Sequence, residues 1–190
     1  MYATLAQLRE YLSVTTTVDD ALLTDLITRA TAVIEQMTRK TFTAPTATSR
    51  TFGREVMLWD AQLRRDYLLL PSGVYIAQLV SAIDGDGDAI TLTEIDTHPP
   101  DAPYTVLARR DRRWCGASQQ ATITARWGYS INPPADIVHA TIRLAAWMYR
   151  QRGTANDPDR PTVADGGLVL LPSALPDDVR AILERYRDVV

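Results

Sequence analysis

The hydrophobic period of this chain changes twice, and that alternation restricts its fold more than any other feature. Leu22, Leu23, Leu26, Ile27, Ala30, Val33, Ile34 and Met37 recur at three- and four-residue intervals, which gathers them on one face of a helix. From about Thr41 the pattern becomes Thr, Val, Tyr and Ile in short runs broken by Gly, Pro and Asp, the mark of strands and turns. After Asn132-Pro133-Pro134 a helical stripe returns through Ile137, Val138, Thr141, Ile142, Leu144, Ala145, Met148 and Tyr149. The expected fold class is therefore α+β: a small helical bundle of about four helices with a β-rich insertion between the second and third.

Local signals set the expected element ends. Thr4 with Gln7, and Thr17 with Asp20, each have the spacing of a capping box, and Ser13 to Thr16 reads as a turn between two helices. Arg39 and Lys40 suit the negative end of the second helix. Strands are expected at Ser49–Phe52, Val56–Trp59, Tyr67–Leu70, Ile76–Ile83, Ala89–Glu94, Tyr104–Leu107 and Thr122–Trp127. Ala135 to Gln151 is the clearest helix, and its wide apolar stripe predicts a place in the middle of the bundle. A last helix follows Pro176-Asp177-Asp178, with Val179, Ile182, Leu183 and Tyr186 on one face. Between these two helices, Thr154 to Leu175 is too long for a simple connection and reads as a contact arm around the apolar run Leu168 to Leu171. The chain has 190 residues, a length that predicts one domain over 1–190, with a helical core at 1–42 and 133–190 and the insert at 49–127.

Charge and cysteine content narrow the function classes. With 20 Lys+Arg against 23 Asp+Glu, a net charge of −3 argues against a general nucleic-acid binder. Cys115 is the sole cysteine, so an intramolecular disulfide is excluded, in keeping with a cytoplasmic origin. No basic segment followed by a long apolar run opens the chain, and no stretch approaches the roughly 18–20 apolar residues that span a bilayer, so neither secretion nor a membrane partner is expected.

Catalytic chemistry finds little to use. Asp84-Gly85-Asp86-Gly87-Asp88 resembles the start of a calcium loop, but Ala89 stands where the loop needs glycine and Ile95 where it needs a bidentate glutamate. A polar hairpin tip is the better reading. His98 and His139 have no histidine or cysteine at ligand spacing, and no Gly-x-Ser-x-Gly elbow or phosphate-cradling glycine loop occurs. Cys115 has no recognisable activating neighbour in sequence. No catalytic, metal or cofactor site is expected. Trp59, Trp127 and Trp147 read as packing residues. The sharpest charge feature is Arg109-Arg110-Asp111-Arg112-Arg113 followed by Trp114: a solvated loop, a grip on an acidic partner subunit, or a DNA contact.

Three blocks resemble the head-tail connector, or adaptor, proteins of tailed bacteriophages and prophages. The first runs from Tyr2-Ala3-Thr4-Leu5-Ala6-Gln7-Leu8 through Asp19-Asp20-Ala21-Leu22-Leu23 and Ala30-Thr31-Ala32-Val33-Ile34-Glu35 to Thr38-Arg39-Lys40-Thr41-Phe42. The second is Arg126-Trp127-Gly128-Tyr129 leading through Pro133-Pro134-Ala135-Asp136-Ile137 into Ala140-Thr141-Ile142-Arg143-Leu144-Ala145-Ala146. The third is Leu175-Pro176-Asp177-Asp178-Val179-Arg180-Ala181-Ile182-Leu183-Glu184-Arg185-Tyr186-Arg187. It is their order and spacing that carry the resemblance, and the chain departs from compact members by its strand-rich insert.

The resemblance implies a ring of copies, commonly twelve, beneath the portal protein in the virion neck. It implies genomic DNA passing through the centre without sequence-specific binding, and a stopper or tail-completion protein docked below. It also implies synthesis in the bacterial host cytoplasm and no cofactor. On that reading Leu5 and Leu8 of the first helix, Arg109, Arg110, Arg112, Arg113 and Trp114 of the arginine loop, and Leu168, Val169, Leu170 and Leu171 of the arm are the candidate interface residues. A tail-completion role remains the alternative. A DNA-binding regulator would need outward basic residues on a recognition helix, and the stripe of 135–151 is apolar with its arginines late. An enzyme would need a carboxylate pair at catalytic spacing, which the insert does not display.

Overall fold

The computed structural model describes residues 1–116, 118–151 and 175–187, with the backbone alone of 162–163 and 169–170. The chain divides into two compact units, Met1–Arg39 with Pro134–Val190, and Lys40–Pro133. The middle segment closes a core of its own, because two sheets that share one apolar interior bury each other's inner faces.

The helical unit contains α1 (Leu5–Leu12), α2 (Asp20–Thr38), α3 (Ala135–Gln151) and α4 (Asp177–Glu184). Helix α3 packs on each of the others, the central place its wide stripe predicts. Leu8, Leu23, Ile27, Ile34, Ile137 and Leu144 are among the fully buried side chains. Thr31, Thr38 and Thr141 are buried as well, and each hydroxyl donates to the carbonyl four residues back, so none brings an unpaired polar group inside.

The first capping box forms: the Gln7 amide donates to Thr4 Oγ1 at 3.3 Å and the Thr4 amide to Gln7 Oε1 at 2.8 Å. The second does not. Helix α2 is capped at Asp19 without a side-chain hydrogen bond. Its two aspartates serve tertiary contacts instead: Asp19 accepts from the Tyr149 hydroxyl at 2.6 Å, and Asp20 lies 3.4 Å from Arg9. Helix α4 is tied to α3 by Val179 and Leu183, by Arg143 Nε donating to Asp178 at 2.8 Å, and by Tyr186 donating to Asp136.

The sheet unit contains β1 (Thr48–Gly53), β2 (Met57–Asp60), β3 (Arg65–Leu69), β4 (Ile76–Ile83), β5 (Ala89–Ile90), β6 (Ile95–His98), β7 (Val106–Arg110) and β8 (Gln120–Trp127). Two antiparallel sheets result, in the orders β1-β8-β4-β5 and β2-β3-β7-β6. Alternate residues of the first sheet, including Phe52, Ile76, Ala82, Ile123 and Ala125, meet Leu68, Ile95 and Leu107 of the second in one core. Residues β9 (Thr162–Val163) and β10 (Val169–Leu170) pair antiparallel with each other.

One local expectation changes here. The single strand expected over Ala89–Glu94 stops at Ile90, a 3-10 turn over Leu92–Glu94 redirects the chain, and β6 then joins the other sheet beside β7. Strand β6 was hidden because only Ile95 within it is buried, and Pro99-Pro100 just beyond reads as loop. Arg39 takes the left-handed capping conformation, φ 55°, and Lys40 Nζ lies over the rings of Tyr129 and Tyr75, 5.1 and 5.3 Å from their centroids.

Candidate interaction surface

The arginine run folds into two opposed sets of side chains. Strand β7 has the two-residue period, so Arg109 points into the sheet unit, where it is 3% exposed, and Arg110 points out. Arg109 donates to Asp84 at 3.1 Å and to the Arg113 carbonyl at 2.9 Å, a buried ion pair anchored to the β4–β5 turn. Trp114 closes the same region: it is fully buried, its backbone amide donates to the Asp66 carboxylate and its indole to the Asp66 carbonyl, both at 2.8 Å. The run therefore supplies an internal brace and plug as well as a surface.

The aspartate-rich turn is one half of that brace. Asp84 Oδ1 accepts from the amides of Asp86 and Asp88, at 3.1 and 3.0 Å, and Oδ2 from Arg109. Those bonds make it the polar hairpin tip, with its first carboxylate turned inward. Burial pushes the Asp84 carboxyl up, but the Arg109 hydrogen bond, the two amides and the Arg109 charge together hold it below the usual carboxylate range. Gly85 is required at this point, because a Cβ would stand 2.1 Å from the Gly116 backbone nitrogen. The Gly85 amide donates to the Trp114 carbonyl at 3.0 Å, locking the turn to the loop after β7.

On the outside, Asp96 holds both Arg65 and Arg110 at 3.1 Å, and Arg64 pairs with Asp111 at 2.9 Å. Arg110 and Arg112 border a shallow polar groove beside Thr93 and Glu94. Arg113 stacks its guanidinium 4.7 Å from the Trp59 ring centre, at the rim of a cleft of about 290 Å³ that also reaches Arg54, Cys115 and Gln119. Burial pushes the Cys115 thiol up, the Asp66 charge adds to it, and Arg54 and Arg113 pull less strongly the other way. A thiol so placed, against Met57 Sδ, is protonated at neutral pH and a poor nucleophile. His98 and His139 are both exposed. Trp127 packs against Phe52 with Arg50 over its outer face, 4.5 Å from the ring centre.

Of the candidate contact residues, Arg110, Arg112 and Arg113 are exposed and Leu5 is half-buried. Leu8, Arg109 and Trp114 are interior, which corrects their placement on a surface: each side chain is occupied within its own unit. Val169 and Leu170 are described only as the backbone of β10, and Leu168 and Leu171 lie outside the described residues. The sequence reading missed Asp66 and Asp84, the acceptors that draw the run inward. Their signal was a single aspartate within the strand of Tyr67 and Leu68, and the first residue of a turn otherwise explained.

The same succession of helices and sheets occurs in solved structures. The fold is that of gene transfer agent neck chains. A chain in the neck of an empty gene transfer agent (GTA) particle, computed with C6 symmetry, superposes with TM-score 0.57 at 21% identity, over 100% of this chain and 91% of that one. A chain in the neck of a native GTA particle, computed with C12 symmetry, gives TM-score 0.54 at 19% identity over 100% and 90%. A third, from the virion of a native GTA particle, gives 0.51 at 19% over 100% and 91%. No protein-family model and no curated protein matches the sequence. The likeness covers both units, so the sheet unit is part of the shared fold.

Proposed function

We propose that this chain is a structural connector of the neck of a tailed phage or phage-like particle, an adaptor subunit that joins a ring beneath the portal, extends the DNA channel and docks the stopper or tail. The observation that carries the reading is the end-to-end correspondence of fold with chains in two GTA necks, including the sheet unit. The C6 and C12 symmetries of those necks support assembly as a ring of copies. Such a subunit acts by surface fit rather than by chemistry.

Arg110, which is exposed although paired with Asp96, and exposed Arg112 are the parts of the arginine run presented to a neighbour or the portal. Reversing both, Arg110→Glu with Arg112→Glu, is expected to weaken ring formation or attachment to heads at least several-fold while changing folding stability by no more than about 1 kcal/mol, the scale of exposed ion pairs. Sedimentation of assembled rings and urea denaturation separate the two effects. Unchanged assembly removes this loop from the interface.

The deciding experiment adds the purified protein to DNA-filled, tailless heads. Binding at one vertex with reduced DNA leakage is the expected result. Heads that ignore the protein while isolated tails bind it would move the role to tail completion, and binding to neither would overturn the reading.

A further inference from the structure

Charge is distributed unevenly between the two units and again between the two sheets. The helical unit carries the whole net charge of −3, since the sheet unit holds ten basic and ten acidic residues. None of those ten carboxylates lies on β1, β8, β4 or β5; they occupy the other sheet, the turns and the loops. The only charged residues on the four strands are Arg50 and Arg126.

The outer face of this first sheet carries rows of hydroxyls on β1 and β8, while β4 adds exposed Gln78 and the apolar Val80 and Ile83, 44% and 40% exposed. Ser49 stands opposite Thr124 and Thr51 opposite Thr122, with side-chain oxygens 2.8 and 3.3 Å apart, and Ser81 continues the Thr124 row onto β4. Arg126 follows two residues along β8 on the same face, half-buried. Ser49, Thr51 and Ser81 are exposed, so the rows are open to solvent. The outer face of the second sheet differs in charge: Asp96 on edge strand β6 sits between Arg65 and Arg110, and Leu58, on the opposite edge strand β2, is 59% exposed.

We infer that the outer face of β1, β8 and β4 is the surface along which the backbone of duplex DNA passes. The inference rests on the neck reading above and assigns to it one face of one sheet. Phosphate oxygens accept hydrogen bonds from Ser and Thr hydroxyls, whereas any carboxylate on the face would repel them. Many lysines and arginines would hold the DNA instead, each neutralised phosphate releasing counter-ions and adding to affinity. Hydroxyl rows with Arg126 beside them give contact without retention, which suits a duplex that must move. A protein partner of ordinary mixed charge imposes no such exclusion of carboxylates, so the charge pattern favours the polyanion.

The test places a photoactivatable cross-linker on single cysteines in particles filled with DNA. Thr51→Cys, Thr124→Cys and Ser49→Cys report on the hydroxyl face, Leu58→Cys on the second sheet, and the unsubstituted chain gives the background from partly buried Cys115. DNA adducts at the three hydroxyl positions, several-fold above Leu58→Cys and background, are expected. Adducts confined to protein, or DNA adducts no more frequent than at Leu58→Cys, would overturn the inference and make the face a contact between subunits while leaving the neck reading intact. Variants and unsubstituted chain all failing to enter particles would overturn the neck reading and the inference with it.

Discussion

Trp114→Ala is expected to destabilise the protein by about 3–5 kcal/mol, the range for emptying a large aromatic site in a packed core. The indole is fully buried among the side chains shared by both sheets, and its N–H satisfies the Asp66 carbonyl. Trp114→Phe keeps most of the volume and loses that hydrogen bond, so its expected loss is smaller, about 1–3 kcal/mol from an unpaired buried carbonyl. Urea denaturation followed by circular dichroism measures both. A contact residue would behave in the opposite way: the alanine variant would assemble poorly at unchanged stability, and that result would return Trp114 to the surface.

Asp84→Ala comes next, with an expected loss of about 3–5 kcal/mol at neutral pH, because it strands the Arg109 guanidinium in the interior. Arg109 reaches the Arg113 carbonyl as well, but its other carboxylate, Glu94, is 3.9 Å away and half exposed. Asp84→Asn preserves an acceptor for the turn amides and isolates the charge contribution. Adding Arg109→Met to the alanine variant should recover part of the loss, a non-additivity that a double-mutant cycle reads directly. The pH dependence follows from the direction of the shift. The folded carboxyl titrates below its unfolded value of about 3.9, so its contribution is present above that pH and disappears as pH falls through the lower folded value. Below about pH 4 the wild type should therefore lose stability faster than Asp84→Asn. Parallel acid curves would show that Asp84 does not carry the brace.

Elements whose cause lies in neighbouring residues were legible. Pro133-Pro134 and the stripe behind them place the start of α3, and its observed span, Ala135–Gln151, is the expected one. Strand β4 likewise matches at Ile76–Ile83, since an apolar run bounded by turn residues has few other solutions. The Thr4–Gln7 box forms because α1 is exposed where the box sits, leaving both side chains free to cap. The Thr17–Asp20 spacing looks equivalent on paper, yet Arg9 and Tyr149 claim the aspartates around it.

The amino-acid order by itself determined the α+β class, the succession of helices around a strand-rich middle, and the polar character of the Asp84–Asp88 turn, all products of periodicity and of short-range hydrogen bonding. Only the tertiary structure decided that Arg109 and Trp114 turn inward while Arg110 and Arg112 stay out, that Leu8 is core, and that the carboxylate-free strands assemble into one face. The reason is the same in each case. Charge and hydrophobicity are properties of a residue, but burial is a property of a partner: Asp84 lies 25 positions from Arg109, Asp66 lies 48 from Trp114, and Ser49 lies 75 from Thr124. Strand pairing joins Ser49 to Thr124, while the packing of the two sheets on one core and the path of the loop after β7 bring the other two pairs together.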